Sequence, residues 1–101
     1  MKTLDEISFI EMMFRYYIPL TFHVMRFALY FESLKIRFLL MSTDEQWKVA
    51  AYYKQMYYNL CTEFHTRIHE DPNEAPLLCV EGSKNFKQLL KDFKADLNYY
   101  I

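Results

Sequence analysis

Between residues 20 and 41 the apolar positions fall on two sides of one helix. Leu20, Val24, Phe27, Phe31, Leu34 and Phe38 recur at alternating spacings of four and three. That spacing makes a seam suited to packing on another helix. Phe22, Met25, Leu29, Ile36 and Leu40 form a second, broken stripe on nearly the opposite side. Arg26 and Arg37 line one polar edge between the stripes, and Glu32 and Lys35 line the other. An ordinary surface helix carries one apolar stripe. This one is therefore either central in its domain or in contact with something outside it.

The rest of the chain also reads as helix. Thr3 followed by Glu6 predicts a capping box that opens a first helix, with Leu4, Ile7, Ile10, Phe14 and Tyr17 as its apolar stripe. Pro19 then disfavours helix at Ile18, so it either starts a second helix or kinks one long one. Ser42-Thr43-Asp44-Glu45-Gln46 is the clearest punctuation: a capping hydroxyl, a box-closing side chain and two acids suited to the helix dipole. A third helix follows, with Ala50, Tyr53, Tyr57, Leu60, Cys61, Phe64 and Ile68 on its main face. The prolines of Asp71-Pro72-Asn73 and Ala75-Pro76 predict a long break over about 70–82, holding the short apolar run Leu77–Val80 as a tucked loop or isolated strand. Ser83 would cap the last helix, whose stripe is Phe86, Leu89, Leu90, Phe93, Leu97 and Tyr100. The expectation is all-α: a small antiparallel bundle of three to four helices, at about 3–18, 19–41, 43–69 and 83–99, in a single domain over 1–101.

Composition sharpens this picture. The chain is 52% hydrophobic and 19% aromatic, which argues against disorder. Nine Phe, nine Tyr and one Trp are many large rings for so small an interior, so some are expected at an interface. The net charge of −1 gives no global field toward nucleic acid or an anionic membrane. Two cysteines make no disulfide framework, and the first residues lack the apolar core of a signal peptide, so a cytoplasmic protein with reduced thiols is expected. Glu11, Arg15, Arg26, Glu32, Lys35 and Arg37 break up the apolar first third of the chain. Each would cost roughly 2.5–3.5 kcal/mol at a bilayer centre, so no membrane span is expected.

Candidate chemistry is sparse. Cys61, His65 and His69 stand at i, i+4 and i+8. That spacing covers about 12 Å of helix axis, too far for one ion to take all three. A metal site would need Glu70, Asp71 or Cys79 brought back to His65 and His69. Cys61 one turn from His65 lacks a third, orienting group for nucleophilic work. No glycine-rich phosphate loop, nucleophile elbow or paired CxxC is present. Lys84, Lys87, Lys91 and Lys94 line one side of the last helix and could meet phosphates or an acidic protein. Tyr52, Tyr53, Tyr57 and Tyr58 cannot all face one core, and Tyr58 with Trp47 is the candidate anchor pair.

The reading is a small non-catalytic protein-interaction module that binds a larger macromolecular partner, as an inhibitor, adaptor or assembly subunit, in the manner of a phage-type regulator of a host complex. Phe22, Met25, Leu29, Ile36 and Leu40 would form the patch, Trp47 and Tyr58 its anchors, Arg26 and Arg37 its polar rim. No cofactor and no small-molecule substrate are expected. The alternatives are a homo-oligomeric helical protein using the same stripe, and a nucleic-acid-binding subunit using the lysine face.

Overall fold

The structure, a computed structural model, describes residues 2–41 and 43–99 and, of these, every side chain but those of 38–41. It is all-α, with no strand among the described residues.

One 3₁₀ turn, Leu4–Glu6, comes first. The Thr3 hydroxyl donates to the Glu6 carboxylate at 3.1 Å and does not cap the backbone. The capping box expected there does not form, and only a single turn follows. The long helix begins instead at Ser8, whose Oγ accepts from the Glu11 backbone N–H at 3.1 Å. From there α1 runs without interruption: α-helical at Phe9–Glu11, π-helical at Met12–Tyr17 and α-helical at Ile18–Met41. Pro19 lies inside it. Proline removes a donor and its ring crowds the preceding turn. The π stretch meets that demand, because the Ile18 N–H reaches back five residues to the Met13 carbonyl and widens the turn that the ring enters.

The second helix, α2, spans Asp44–Glu70 and opens on the expected capping box. Thr43 Oγ1 accepts from the Gln46 N–H at 3.3 Å, and Gln46 Oε1 accepts from the Thr43 N–H at 2.9 Å. The break after α2 is much shorter than residues 70–82. Asp71 accepts from the Asn73 N–H at 3.2 Å, a 3₁₀ turn takes Pro72–Glu74, and α3 runs from Ala75–Tyr99. Both prolines sit in first turns, where a missing N–H leaves no helical bond unmade. Leu77–Val80 is therefore helix, neither loop nor strand, and Ser83 lies inside α3 and caps nothing. The described residues form three long helices, the lower end of the three to four expected.

Gly82 is the other signal that reads differently in three dimensions. A Cβ there would lie 3.0 Å from Leu20 Cδ1 and 3.7 Å from Phe64 Cδ2. The glycine lets α1 and α2 close on α3. Gly82→Ala gains about 1 kcal/mol of helix propensity, but crowding the buried Leu20 costs typically 1–3 kcal/mol. The expected net result is a loss of about 1 kcal/mol in urea denaturation. A gain would show that Leu20 yields freely.

Phe27 and Leu34 of α1 and Tyr53 and Ala50 of α2 meet α3 in the order Phe93 to Leu97, so α2 runs antiparallel to α3 and α1 lies parallel to it. α3 packs against both of the others and is the central helix. The double-striped segment 20–41 is not central; among its described side chains one stripe is covered and the other is exposed. The bundle measures 50 × 23 × 18 Å, with a radius of gyration of 16.0 Å. A compact chain of this length has about 13 Å, so the molecule is a rod and much of each helix lies at the surface.

The core has two parts. In the larger, Phe27 and Leu34 of α1 and Ala50 and Tyr53 of α2 close on Leu89, Leu90, Phe93 and Leu97 of α3. Phe93 is completely buried, stacked on Tyr53 at 5.0 Å and edge-on to Tyr30 at 5.4 Å. In the smaller, Tyr16, Leu20, Cys79 and Phe86 meet. The Tyr53 hydroxyl donates to the Asp96 carboxylate, and burial together with that acid raises its pKa well above the usual tyrosine value. No helix is long and apolar enough to cross a membrane among the described residues.

Candidate protein-interaction face

α1 sorts its two stripes cleanly. Tyr16, Leu20, Phe27 and Leu34 are buried against the bundle. On the opposite side Phe22 is 59% exposed, Met25 54%, Leu29 64% and Ile36 69%. Every described apolar residue of the expected patch therefore faces solvent; the Leu40 side chain lies outside the described residues. Arg26 and Arg37 are exposed beside them. The Arg26 guanidinium sits 5.6 Å from the centre of the Phe22 ring, a cation–π contact that screens part of that ring.

The same face extends toward the N-terminus in a way the sequence reading missed. Ile10, Phe14 and Tyr17, which belong to the apolar stripe read for the first helix, are exposed, as is Ile18. Tyr16 and Leu20 take the inward side instead. A π turn holds about one residue more than an α turn, so spacings of four stay aligned through it. Ile10, Phe14, Ile18 and Phe22 thus continue one stripe. Reading residues 9–41 as a single helix through Pro19 would have revealed it.

On α2, Trp47 and Tyr58 are both about half exposed. They lie on the same side of the helix, but eleven residues apart, or about 16 Å, so they do not form one anchor. Tyr58 instead borders an open cleft between α1 and α2. The floor of this cleft is aromatic, from Phe27, Phe31 and Tyr57. Its lip is charged: Lys54 Nζ lies 5.6 Å from the Phe31 ring, and Lys35 Nζ donates to Glu32 at 2.9 Å.

The other candidate sites do not assemble. The His65 and His69 rings lie side by side, 5.5 Å between centres, on the exposed end of α2. Among the described residues no three His, Cys, Asp or Glu side chains converge to hold a metal ion. Burial raises the Cys61 thiol, partly offset by a hydrogen bond with Tyr57, and raises Cys79 to about 11. Reactive cysteines need the opposite shift. Tyr57, half-buried one turn before Cys61, is itself raised to about 12, first by its burial. Lys84, Lys87, Lys91 and Lys94 are exposed along α3, but Lys94 turns toward the Tyr30 ring at 5.0 Å, and Asp92 and Asp96 interrupt the row.

His23 sits between the two sides of α1, and its Nδ1 is buried with no hydrogen-bond partner among the described residues. Burial, then the charges of Arg26 and Lys87, hold its pKa below the ordinary 6.5. As pH falls through 6.5 the unfolded chain takes up a proton before the folded one does. Stability from this group is therefore full above that pH and lost progressively below it. His23→Gln is expected to flatten the decline of melting temperature between about pH 7 and pH 5. An unchanged slope would assign the decline to other groups.

No family model, curated protein or solved structure matches this chain. The functional reading therefore rests on the geometry of the face itself.

Proposed function

We propose that the protein is a small, non-catalytic interaction module that works by docking the outer face of α1 onto another protein surface. The observation that carries this reading is the run of half-exposed apolar side chains, Phe22, Met25, Leu29 and Ile36, on one long helix whose opposite side is fixed in the core. Contiguous apolar surface of this kind on a small protein marks an interaction site. Arg26 and Arg37 supply the charged rim that orients an encounter. Inhibitor, adaptor and assembly subunit are the roles open to a protein that acts through such a face, and the cytoplasm suits its reduced thiols.

The test is capture with immobilised tagged chain, wild type and Leu29→Asp side by side. The prey is extract of the source cells containing untagged chain. Wild type is expected to retain a protein that the variant loses, a second copy of the chain included. Equal capture by both, or none by either, overturns the reading.

A further inference from the structure

We infer that the groove between α1 and α3 is a binding surface for the sugar-phosphate backbone of double-stranded DNA, held by Arg26 and Arg37 of α1 and by Lys84, Lys87, Lys91 and Lys94 of α3. This surface goes beyond the docking face of α1, which lies on the far side of the two arginines. Each basic row is legible in the sequence, but only the fold joins them into one strip. Lys94 Nζ lies 5.0 Å from the Tyr30 ring, and the charge of Arg37 bears on the same tyrosine. Further back along both helices, the charges of Arg26 and Lys87 both bear on His23. Because α1 and α3 run parallel, the rows keep in step over about 25 Å, at roughly 1.5 Å for each residue. All six side chains are exposed.

The acids near these helices turn elsewhere. The net charge of −1 is an average over a surface divided by sign. Asp92 and Asp96 break the lysine row along the sequence but not across the surface, because they stand roughly 140° round the helix from the lysines. Asp96 accepts from the Tyr53 hydroxyl of α2, and the charge of Asp92 bears on that same tyrosine. On α1, Glu32 lies toward α2, in the cleft with Ala28 and Lys35. The ion pairs among the described residues join Arg15 to Glu11, Lys35 to Glu32, Lys48 to Glu45 and Arg67 to Glu81, and none of them involves the six bases of the groove. Like charges set in one strip repel one another and cost the fold stability. A polyanion laid along the strip removes that cost, and the counterions it sheds drive the binding.

The chemistry of the strip selects among polyanions. Lysine is depleted in protein interfaces, whose energy comes from apolar and aromatic anchors. Here four of the six bases are lysines, and the large apolar side chains that α1 exposes lie on its outer face, beyond the arginines. Single strands are held by bases stacked on free aromatic rings. The rings in this groove, His23 and Tyr30, are half-buried, and Lys94 lies over Tyr30. Duplex RNA is recognised through its 2′-hydroxyls, to which this strip offers charge and little else. The backbone of duplex DNA presents one charge for about every 1.7 Å of axis, and two straight parallel helices can follow it. The strip runs along helix flanks and aims no helix end at the bases, so the binding carries no sequence preference.

The test is fluorescence anisotropy of a labelled DNA duplex of mixed sequence, titrated with the full chain at about 50 mM and about 200 mM salt. Binding is expected at the lower salt and is expected to fall about 1,000-fold at the higher, following the slope of about −5 that six phosphate contacts give. Lys87→Gln and Arg26→Gln are each expected to reduce that slope by about one. Lys87→Glu combined with Lys91→Glu is expected to weaken binding at least about 100-fold. Lys48→Glu combined with Lys54→Glu changes the net charge by the same amount but on α2, and is expected to leave affinity within about threefold. Circular dichroism accompanies every variant, and these exposed positions are expected to keep the helical signal. Absence of binding at the lower salt overturns the proposal. So does equal loss from the two double variants, which would make net charge and not the groove responsible. Tighter binding to the single strand, or to an RNA duplex of the same sequence, also overturns it.

Discussion

Phe93→Ala is expected to lower folding stability by about 3–5 kcal/mol, and to leave the chain largely unfolded at modest urea concentration. A domain of this size has roughly 5–15 kcal/mol to lose. The size of the effect follows from where the ring sits. Phe93 is fully buried in the middle helix, and its ring contacts come from both neighbours: Phe27, Tyr30 and Phe31 of α1, and Tyr53 of α2. Removing it opens a cavity that four aromatic rings line, and α3 cannot shift to fill the gap on one side without opening it on the other. The Tyr53 hydroxyl is also anchored to Asp96, one turn along α3, which limits how far Tyr53 can follow. The measurement is equilibrium urea unfolding by circular dichroism, with wild type and variant fitted to a common slope. A loss below about 1.5 kcal/mol would mean that the larger core is held elsewhere.

Leu29→Asp and Leu34→Asp are expected to part company completely, although they place the same group on the same helix five residues apart. Leu34 is 2% exposed and Leu29 is 64% exposed. At position 34 the carboxylate enters the core beside Phe93 and Leu97 with nothing to pair it, a change of several kcal/mol that unfolds the chain. At position 29 the only fold-level cost is the lower helix propensity of aspartate, about 0.5 kcal/mol. Binding reverses the order of importance. Covering Leu29 contributes roughly 1.5–3 kcal/mol, and an aspartate there must in addition be desolvated against an apolar partner. Association is therefore expected to weaken by at least about 100-fold while the melting curve moves by only a few degrees. The check is thermal melting and binding on the same samples. Melting losses of equal size at both positions would place Leu29 in the domain's own core.

What the sequence disclosed was uneven, for identifiable reasons. Phe86, Leu89, Leu90, Phe93 and Leu97 are legible as a core face because the period is clean and the other side of that helix is charged. Thr43 and Gln46 are legible because a capping box is local chemistry, complete within four residues. Pro76, Gly82 and Ser83 misled as a group. Each is a breaker by default, and what each does depends on a neighbour that the sequence does not name: a first turn for Pro76, and Leu20 on another helix for Gly82. Ile10 and Phe14 misled for a different reason. Where a helix is apolar on both sides, periodicity identifies the stripes but not which one is inward. For Phe22, Met25, Leu29 and Ile36 the second stripe was legible, and its exposure follows from α3, not α1, taking the middle of the bundle.

The rod shape has a consequence for anyone handling the protein. A particle 50 Å long and about 20 Å across tumbles and diffuses more slowly than a sphere of the same 12.4 kDa. On a sizing column calibrated with round proteins, a single copy will therefore elute ahead of its mass and imitate a larger species. Friction, and not mass alone, will govern what the column reports.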